Sequence, residues 1–353
     1  MASRLRVGVI GTGFGSLVQI PAFRAHPRVE VVAVASGTPG KAKKTAEALG
    51  VPHAFDDWTK LVAADLDLVS ITTPPYLHHA MALAALDAGR HVLCEKPMAM
   101  SAAEAEEMLA RADRARRVHA LDHELRFNPN RRKVRRLIEE GFIGAPRHVL
   151  LTAANSSRHD PTKPWGWWYD DARGGGLLGA VGSHQVDLLR YWLGEIAAVT
   201  GTAVTFVPER PLPEGGGRRR VTADEFSTFL LRFRSGAIGT VLLSAVATHT
   251  VGPRVEVWGD AGSLVLDEAD RLWGGRLGEP LAELTEPETL PTPPGMQYVS
   301  LWGLSFVRLV DHLVQATLDG APIAPAATFR DGLAVQRVLD AVRKATQTAW
   351  VPV

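Results

Sequence analysis

The stretch "VGVIGTGFGS", residues 7 to 16, constrains this chain more than any other: an apolar run breaks at Gly11-Thr12-Gly13 and is followed at once by a helix-like segment. A strand turns into a helix through G-x-G because the first glycine takes the tight turn. The second lets a diphosphate reach backbone N–H groups at the helix N-terminus. Ser16 stands where a third glycine is usual and is small enough for helix and strand to pack closely. With a strand before it and a helix after it, the motif predicts a dinucleotide-binding α/β unit.

The rest of the first third agrees. Short apolar runs, "LRVGVI", "VEVVAVA", "LDLVSIT" and "RHVLCE", alternate with "LVQIPAFRAH", "GKAKKTAEALG" and "YLHHAMALAALDAG", whose apolar spacing is nearer 3.6 than 2. This is the pattern of a parallel sheet wrapped by helices. After about residue 123 the texture changes to "RHVLLTAA", "AVTGTAVTFV", "EFSTFLLRF", "AIGTVLLSAVAT" and "RVEVWG", strand-like pieces with few helices between them. The chain is therefore expected to form an α/β Rossmann domain over residues 1–123. An α+β domain with a large, mostly antiparallel open sheet follows over 124–353, ending in a helix at about 330–347. At 353 residues, two domains of roughly 100 to 200 residues can each bury a core. "PERPLPEGGGRRR" (208–220) and "GEPLAELTEPETLPTPPG" (278–295) read as loops.

Composition removes several classes of function. Lys plus Arg (39) and Asp plus Glu (38) nearly cancel, so no global field draws the chain to nucleic acid or an anionic membrane. The single cysteine, Cys94, excludes an intramolecular disulfide framework, and no C-x-x-C or H-E-x-x-H spacing offers a metal site. The apolar start is too short for a signal peptide, and no apolar run approaches the roughly 18 residues of a membrane helix. A cytoplasmic protein with a small-molecule partner and no metal is expected.

The second strand ends about 20 residues past the glycines, where a carboxylate would hold the ribose hydroxyls of NAD. Here Ser36 and Gly37 form the tip and Lys41 follows. A hydroxyl and an ammonium suit a 2'-phosphate, so NADP(H) is expected over NAD(H). In "CEKP", Lys96 and Glu95 fall at the carboxyl end of a strand, the edge of an open α/β sheet where ligands bind. A lysine there can give or take a proton. In "GGGLLGAVGSHQVD" a lone His184 has Asp187 three residues on, near enough on a helix to accept from the imidazole and fix its tautomer. In "KPWGWWYDDARGGG" an aromatic face, Trp168 above all, suits the C–H face of a sugar.

"GTGFGS", "TTPPYLHH", "CEKP", "ELRFNP" and "GGGLLGAVGSH", in this order and at these separations, resemble the Gfo/Idh/MocA oxidoreductases over essentially the whole chain. The resemblance implies hydride transfer between a nicotinamide cofactor and a sugar, a cyclitol or a related hydroxy or keto compound. It implies that Gly11, Thr12, Gly13, Phe14 and Gly15 form the phosphate loop, that Lys96 is catalytic and that His184 faces the substrate as a second proton-transfer residue. Thr73, Pro74 and His78 would lie along the dinucleotide, and Arg126 and Asn128 would face substrate or cap structure. Two positions depart from the pattern: Pro75 replaces an asparagine, and Ala180 replaces an acid one helical turn before His184. The family also implies a homodimer or homotetramer. Its members include sugar-sensing regulators without turnover and reductases of ketones or dihydrodiols, and the missing acid keeps those readings open.

Overall fold

The structure, a computed structural model, describes residues 4–346. Six parallel strands build the first sheet: β1 (Leu5–Ile10), β2 (Val29–Ala35), β3 (His53–Phe55), β4 (Leu68–Ile71), β5 (His91–Cys94) and β6 (His119–Leu121). Their order is β3-β2-β1-β4-β5-β6. The chain winds outward from β1 in one direction and then returns beside it as β4, which creates the switch point at which such sheets bind ligands. All four residues of β4 are buried, as expected of a strand covered on both faces.

The second sheet has eight strands, β7 (Pro146–Ala154), β8 (Ile196–Val204), β11 (Phe226–Phe233), β12 (Ile238–Ser244), β13 (Arg254–Gly259), β14 (Gly262–Leu266), β15 (Leu272–Arg276) and β16 (Ala282–Glu283). Two short strands, β9 (Glu209–Pro211) and β10 (Arg218–Arg220), make a separate hairpin inside the segment expected to be a loop. Every pairing in the large sheet is antiparallel except β12 with β7. Period-2 alternation sends Phe229, Leu231, Val241, Leu243, Val255 and Val257 into one core with Val186, Leu189 and Trp192 of the helix Ser183–Leu193. Leu230 and Ile238 stay exposed at 47% and 41%.

A single cut after residue 123 does not describe the division of the chain. One compact unit runs up to Asn128 and takes back Thr289–Ala334; the other comprises Pro129–Glu288 and the chain from Val335 onward. The cause is the helix Leu304–Leu318, which places Phe306, Leu309, Val310 and Leu313 in one core with Leu5, Val7 and Phe23. The Phe306 ring meets Phe23 edge-on at 5.6 Å, and Arg28 pairs with Asp319 at 2.7 Å. The last helix, Phe329–Thr346, gives Phe329 and Leu333 to one core and Val338, Leu339 and Val342 to the other. Position 347, the expected end of that helix, lies outside the described residues. Among the described residues no helix is long and apolar enough to cross a membrane.

Candidate active site

The phosphate loop follows β1. Gly11 has φ +116°, and a Cβ there would lie 2.3 Å from Thr72 Oγ1 and 2.5 Å from Thr72 O, so only glycine fits where the chain passes β4. Gly13 is different: its φ is ordinary and no atom stands within 4 Å of a Cβ built on it. A side chain at Gly13 would fill the open space a diphosphate needs. Ser16 Oγ lies 2.8 Å from Thr12 O and ties the loop to the helix. Gly15 is buried, and Phe14 is partly buried against the first core. The helix opens with a wide π turn, Gly15–Gln19, before continuing as α from Ile20.

At the end of β2, Ser36 is buried and its Oγ accepts from Thr38 N at 3.3 Å. Gly37 and Lys41 are exposed, and a Cβ on Gly37 would meet nothing within 4 Å. Gly40 takes a left-handed φ of +72° and donates its N–H to Asp56 Oδ1 at 3.2 Å. Asp56 is a carboxylate at this turn that sequence reasoning missed, because it comes just after β3, 43 residues beyond Gly13.

Lys96 stands two residues past the end of β5, half-buried, and its peptide to Pro97 is cis. Glu95 is buried; its Oε2 accepts from Lys96 N and its Oε1 from Gln19 Nε2, both at 3.2 Å. His78 is fully buried, with Nε2 2.8 Å from Thr73 O and Nδ1 3.0 Å from Pro97 O. Burial and the nearby Lys96 ammonium hold the imidazole down at about 4, so at neutral pH the ring is uncharged and its one N–H donates to one of the two carbonyls. His78 therefore joins the Thr73 turn to the lysine loop, and its ring nitrogens do not face the outside of the fold. Thr73 and Pro74 are partly exposed; Pro75 is buried and starts a short 3-10 turn.

Arg126 is buried, and its guanidinium donates to Asp331 Oδ1 at 3.1 Å and Pro325 O at 3.3 Å. These contacts tie Arg126 to the start of the last helix. Asn128 is buried with its N–H on Leu125 O at 3.2 Å.

In the second unit, His184 lies in the first turn of the helix Ser183–Leu193, 2% exposed, with Asp187 buried one turn on. Ala180 sits in a π turn, Leu178–Gly182, that runs into this helix. The glycine run has a local cause. Asp224 Oδ2 accepts from the N–H groups of Leu177 and Leu178 at 3.0 and 2.8 Å, capping the π turn. Gly176, at φ +108°, would push a Cβ to 2.3 Å from Asp224 Oδ1. Burial raises the Asp224 carboxyl above its ordinary range even though both N–H groups favour its anion. Trp168 is 44% exposed and stacks on Trp167 at 3.9 Å, whereas Trp165 is buried with Nε1 donating to Arg220 O. Behind them Arg210 and Glu225 form a fully buried ion pair at 2.9 Å, and the guanidinium also lies 4.1 Å from the Tyr169 ring centroid.

A parallel sheet with a glycine loop at its switch point and a lysine at its carboxyl edge is the arrangement of a nicotinamide-dependent oxidoreductase. Comparison with known proteins agrees: residues 5–123 match the oxidoreductase family with NAD-binding Rossmann fold, and residues 131–265 match the Gfo/Idh/MocA C-terminal domain. The chain belongs to the Gfo/Idh/MocA oxidoreductase family. It is 32% identical to an uncharacterised oxidoreductase of Synechocystis sp. over 99% of this chain and 96% of that protein. It is 29% identical to the levoglucosan dehydrogenase of Pseudarthrobacter phenanthrenivorans, over 99% and 98%. The solved complex of levoglucosan dehydrogenase with NADH superposes with TM-score 0.89 at 27% identity, covering 98% of this chain and 97% of that one.

Proposed function

We propose that this protein is a dehydrogenase or reductase of a sugar, a cyclitol or a related hydroxy or keto compound, with Lys96 and His184 as its proton-transfer residues. One observation carries the reading: Lys96 stands half-buried at the carboxyl edge of the same sheet whose β1 turn is shaped for a diphosphate. The open space at Gly13 and Gly37 fits a dinucleotide, held by residues 11–15 and the tip of β2. When bound, the nicotinamide gives or accepts the hydride. Lys96 takes the hydroxyl proton during oxidation and returns it during reduction, and His184 performs the same work or orients the hydroxyl. Trp168 offers an exposed indole face to the C–H side of a sugar ring.

Sugar chemistry is supported by the relatives. Levoglucosan dehydrogenase has been solved with NADH and levoglucosan, and with NADH and L-sorbose. Those structures hold NADH, while Ser36, Gly37 and Lys41 favour a 2'-phosphate on chemical grounds, so NADP(H) is our reading for this chain. Asp56, an exposed carboxylate that accepts from Gly40 N at this turn, works against a 2'-phosphate. A homodimer or homotetramer formed through the open face of the large sheet is part of the same reading.

The test is reduced-cofactor formation or consumption against a panel of sugars, cyclitols, ketosugars and dicarbonyls, with Lys96→Ala and His184→Ala beside the wild type. Turnover should fall by about 10²- to 10⁴-fold in each variant while cofactor affinity is retained. Tight cofactor binding without turnover on any substrate would instead make the protein a sensor.

A further inference from the structure

Behind Lys96 lie three carboxyl groups that the proposed chemistry does not use as reactants. Glu95, Asp122 and Glu124 are all buried, at 9%, 0% and 2% exposure. Gln19, from the π turn after the phosphate loop, fixes their hydrogen-bonding pattern. Ser70 Oγ donates to Gln19 Oε1 at 2.6 Å, so the amide N–H groups point the other way, to Glu95 Oε1 at 3.2 Å and Asp122 Oδ2 at 2.9 Å. Asp122 is in hydrogen-bonding contact with Glu95 on one side and with Glu124 on the other. Ionised carboxylates have no hydrogen to offer, so such contacts between acceptors require a proton. Asp122 Oδ1 is fully buried and no donor from the described residues reaches it. The three groups are not disposed as a metal-ligand set.

Resting on the reading of Lys96 as a proton-transfer residue, we propose that Asp122 is its positioning residue. It is a neutral carboxylic acid that lends its one proton to Glu95 and so limits the negative charge standing behind the Lys96 ammonium. The groups facing Asp122 and its neighbours are Glu95, Glu124, Lys96 and the Cys94 thiol. Burial raises Asp122 well above the usual carboxyl range, and the two neighbouring acids add to the effect. Burial also raises Glu124, to about 8, against the opposing pull of Lys96. Glu95 is thereby left as the acceptor of the Lys96 backbone N–H, and the lysine loop is held by one carboxylate instead of being drawn toward three.

Infrared difference spectroscopy of the whole protein at neutral pH, in H₂O against D₂O, reads the proton directly. The wild type should give the carbonyl stretch of protonated side-chain carboxylic acids, shifted by deuteration, with a component that is retained in Glu124→Gln and lost from Asp122→Asn. No such band in the wild type, or its loss in Glu124→Gln alone, overturns the assignment, and neither outcome depends on Asp122→Asn folding. The pH profile of kcat/KM tests the positioning role. Asp122→Ala leaves Glu95 without the shared proton and should move the limb that reports the proton-transfer group to higher pH by about one unit, tenfold in proton affinity. Asp122→Asn, still a neutral donor, should restore the limb to its wild-type position. A limb moved to lower pH in Asp122→Asn would mean that a charge was removed, and the proposal fails. If Lys96→Ala keeps its turnover while the wild-type band is present, the Lys96 reading falls with the positioning role, but the neutral Asp122 stands.

Discussion

At the scale of single residues, the placement of the glycine loop and of Lys96 was legible because it is local in sequence. Gly11 and Gly13 are defined by the strand before them and the helix after them, and Lys96 by the end of a strand; each needs only its own neighbourhood to be recognised. Gln19, Asp56, Asp122 and Asp224 were not legible, because each acts on a group far along the chain, as Gln19 does on Glu95 and Asp122 over 76 and 103 residues. His78 was read as a dinucleotide contact because its motif runs beside the cofactor turn. Its ring is fully buried between Thr73 O and Pro97 O, so it links that turn to the lysine loop. The cofactor preference also belongs to this scale. Gly37→Asp places a carboxylate in open space at the tip of β2, where it repels a 2'-phosphate and accepts from ribose hydroxyls. The ratio of kcat/KM for NADPH over NADH should fall by about tenfold or more, which corresponds to about 1.4 kcal/mol of lost discrimination. An unchanged ratio would place the 2'-phosphate elsewhere.

At the scale of elements, strands were easier to read than the segments that hold them in place. The period-2 strands β7, β11, β12 and β13 stand close to where alternation put them. The helix Leu304–Leu318, whose run "LSFVRLVDHLVQATL" buries eight residues, went unread. The hairpin β9–β10 went unread because glycines and arginines look like a solvated loop, while its purpose is distant. Arg210 of β9 donates to Asp160 O and Arg158 O and pairs with Glu225, so it fastens the segment that carries Trp167 and Trp168. Glu225 in turn accepts from the N–H groups of Phe206 and Val207 at 3.1 and 2.8 Å. Both partners have fully buried side chains, so Glu225→Gln leaves an uncompensated guanidinium inside the fold. The loss should be about 3–5 kcal/mol, read as a lower denaturant midpoint. Proteolysis should then cut first in the segment 155–173. A variant within about 0.5 kcal/mol of wild type would mean that Arg210 is held well enough by its carbonyls and by Tyr169.

At the scale of the whole molecule, two units are built from a chain that crosses between them three times; the sequence reading saw one crossing and placed it after residue 123, where the change falls after Asn128. The returning segment carries Phe306 and Leu313 into a core begun 300 residues earlier, a contact that no local pattern announces. The first unit also concentrates the groups that tie stability to pH. Glu124 binds its proton more tightly folded than unfolded, about 8 against 4.5. Its contribution is therefore complete below about pH 4.5 and is lost as pH rises through 8. Asp122 acts in the same direction. His78 has the opposite sign: it is held at about 4 against 6.5, so its contribution is present above 6.5 and is lost as pH falls through 4. Between 4.5 and 6.5 the slopes oppose each other; above 6.5 only the carboxyl slopes remain, and stability declines toward alkaline pH. Hydrogen exchange of the β4 and β5 amides, measured from pH 4 to 9 and corrected for intrinsic rates, should follow this course. Glu124→Gln should reduce the decline between 6.5 and 8 by about 1.4 kcal/mol per pH unit, the value of one proton. His78→Gln should remove the acid-side loss and leave the alkaline side as it was. An alkaline slope unaltered by Glu124→Gln would mean that Glu124 folds as a carboxylate, and the balance of charge behind Lys96 would then have to be drawn differently.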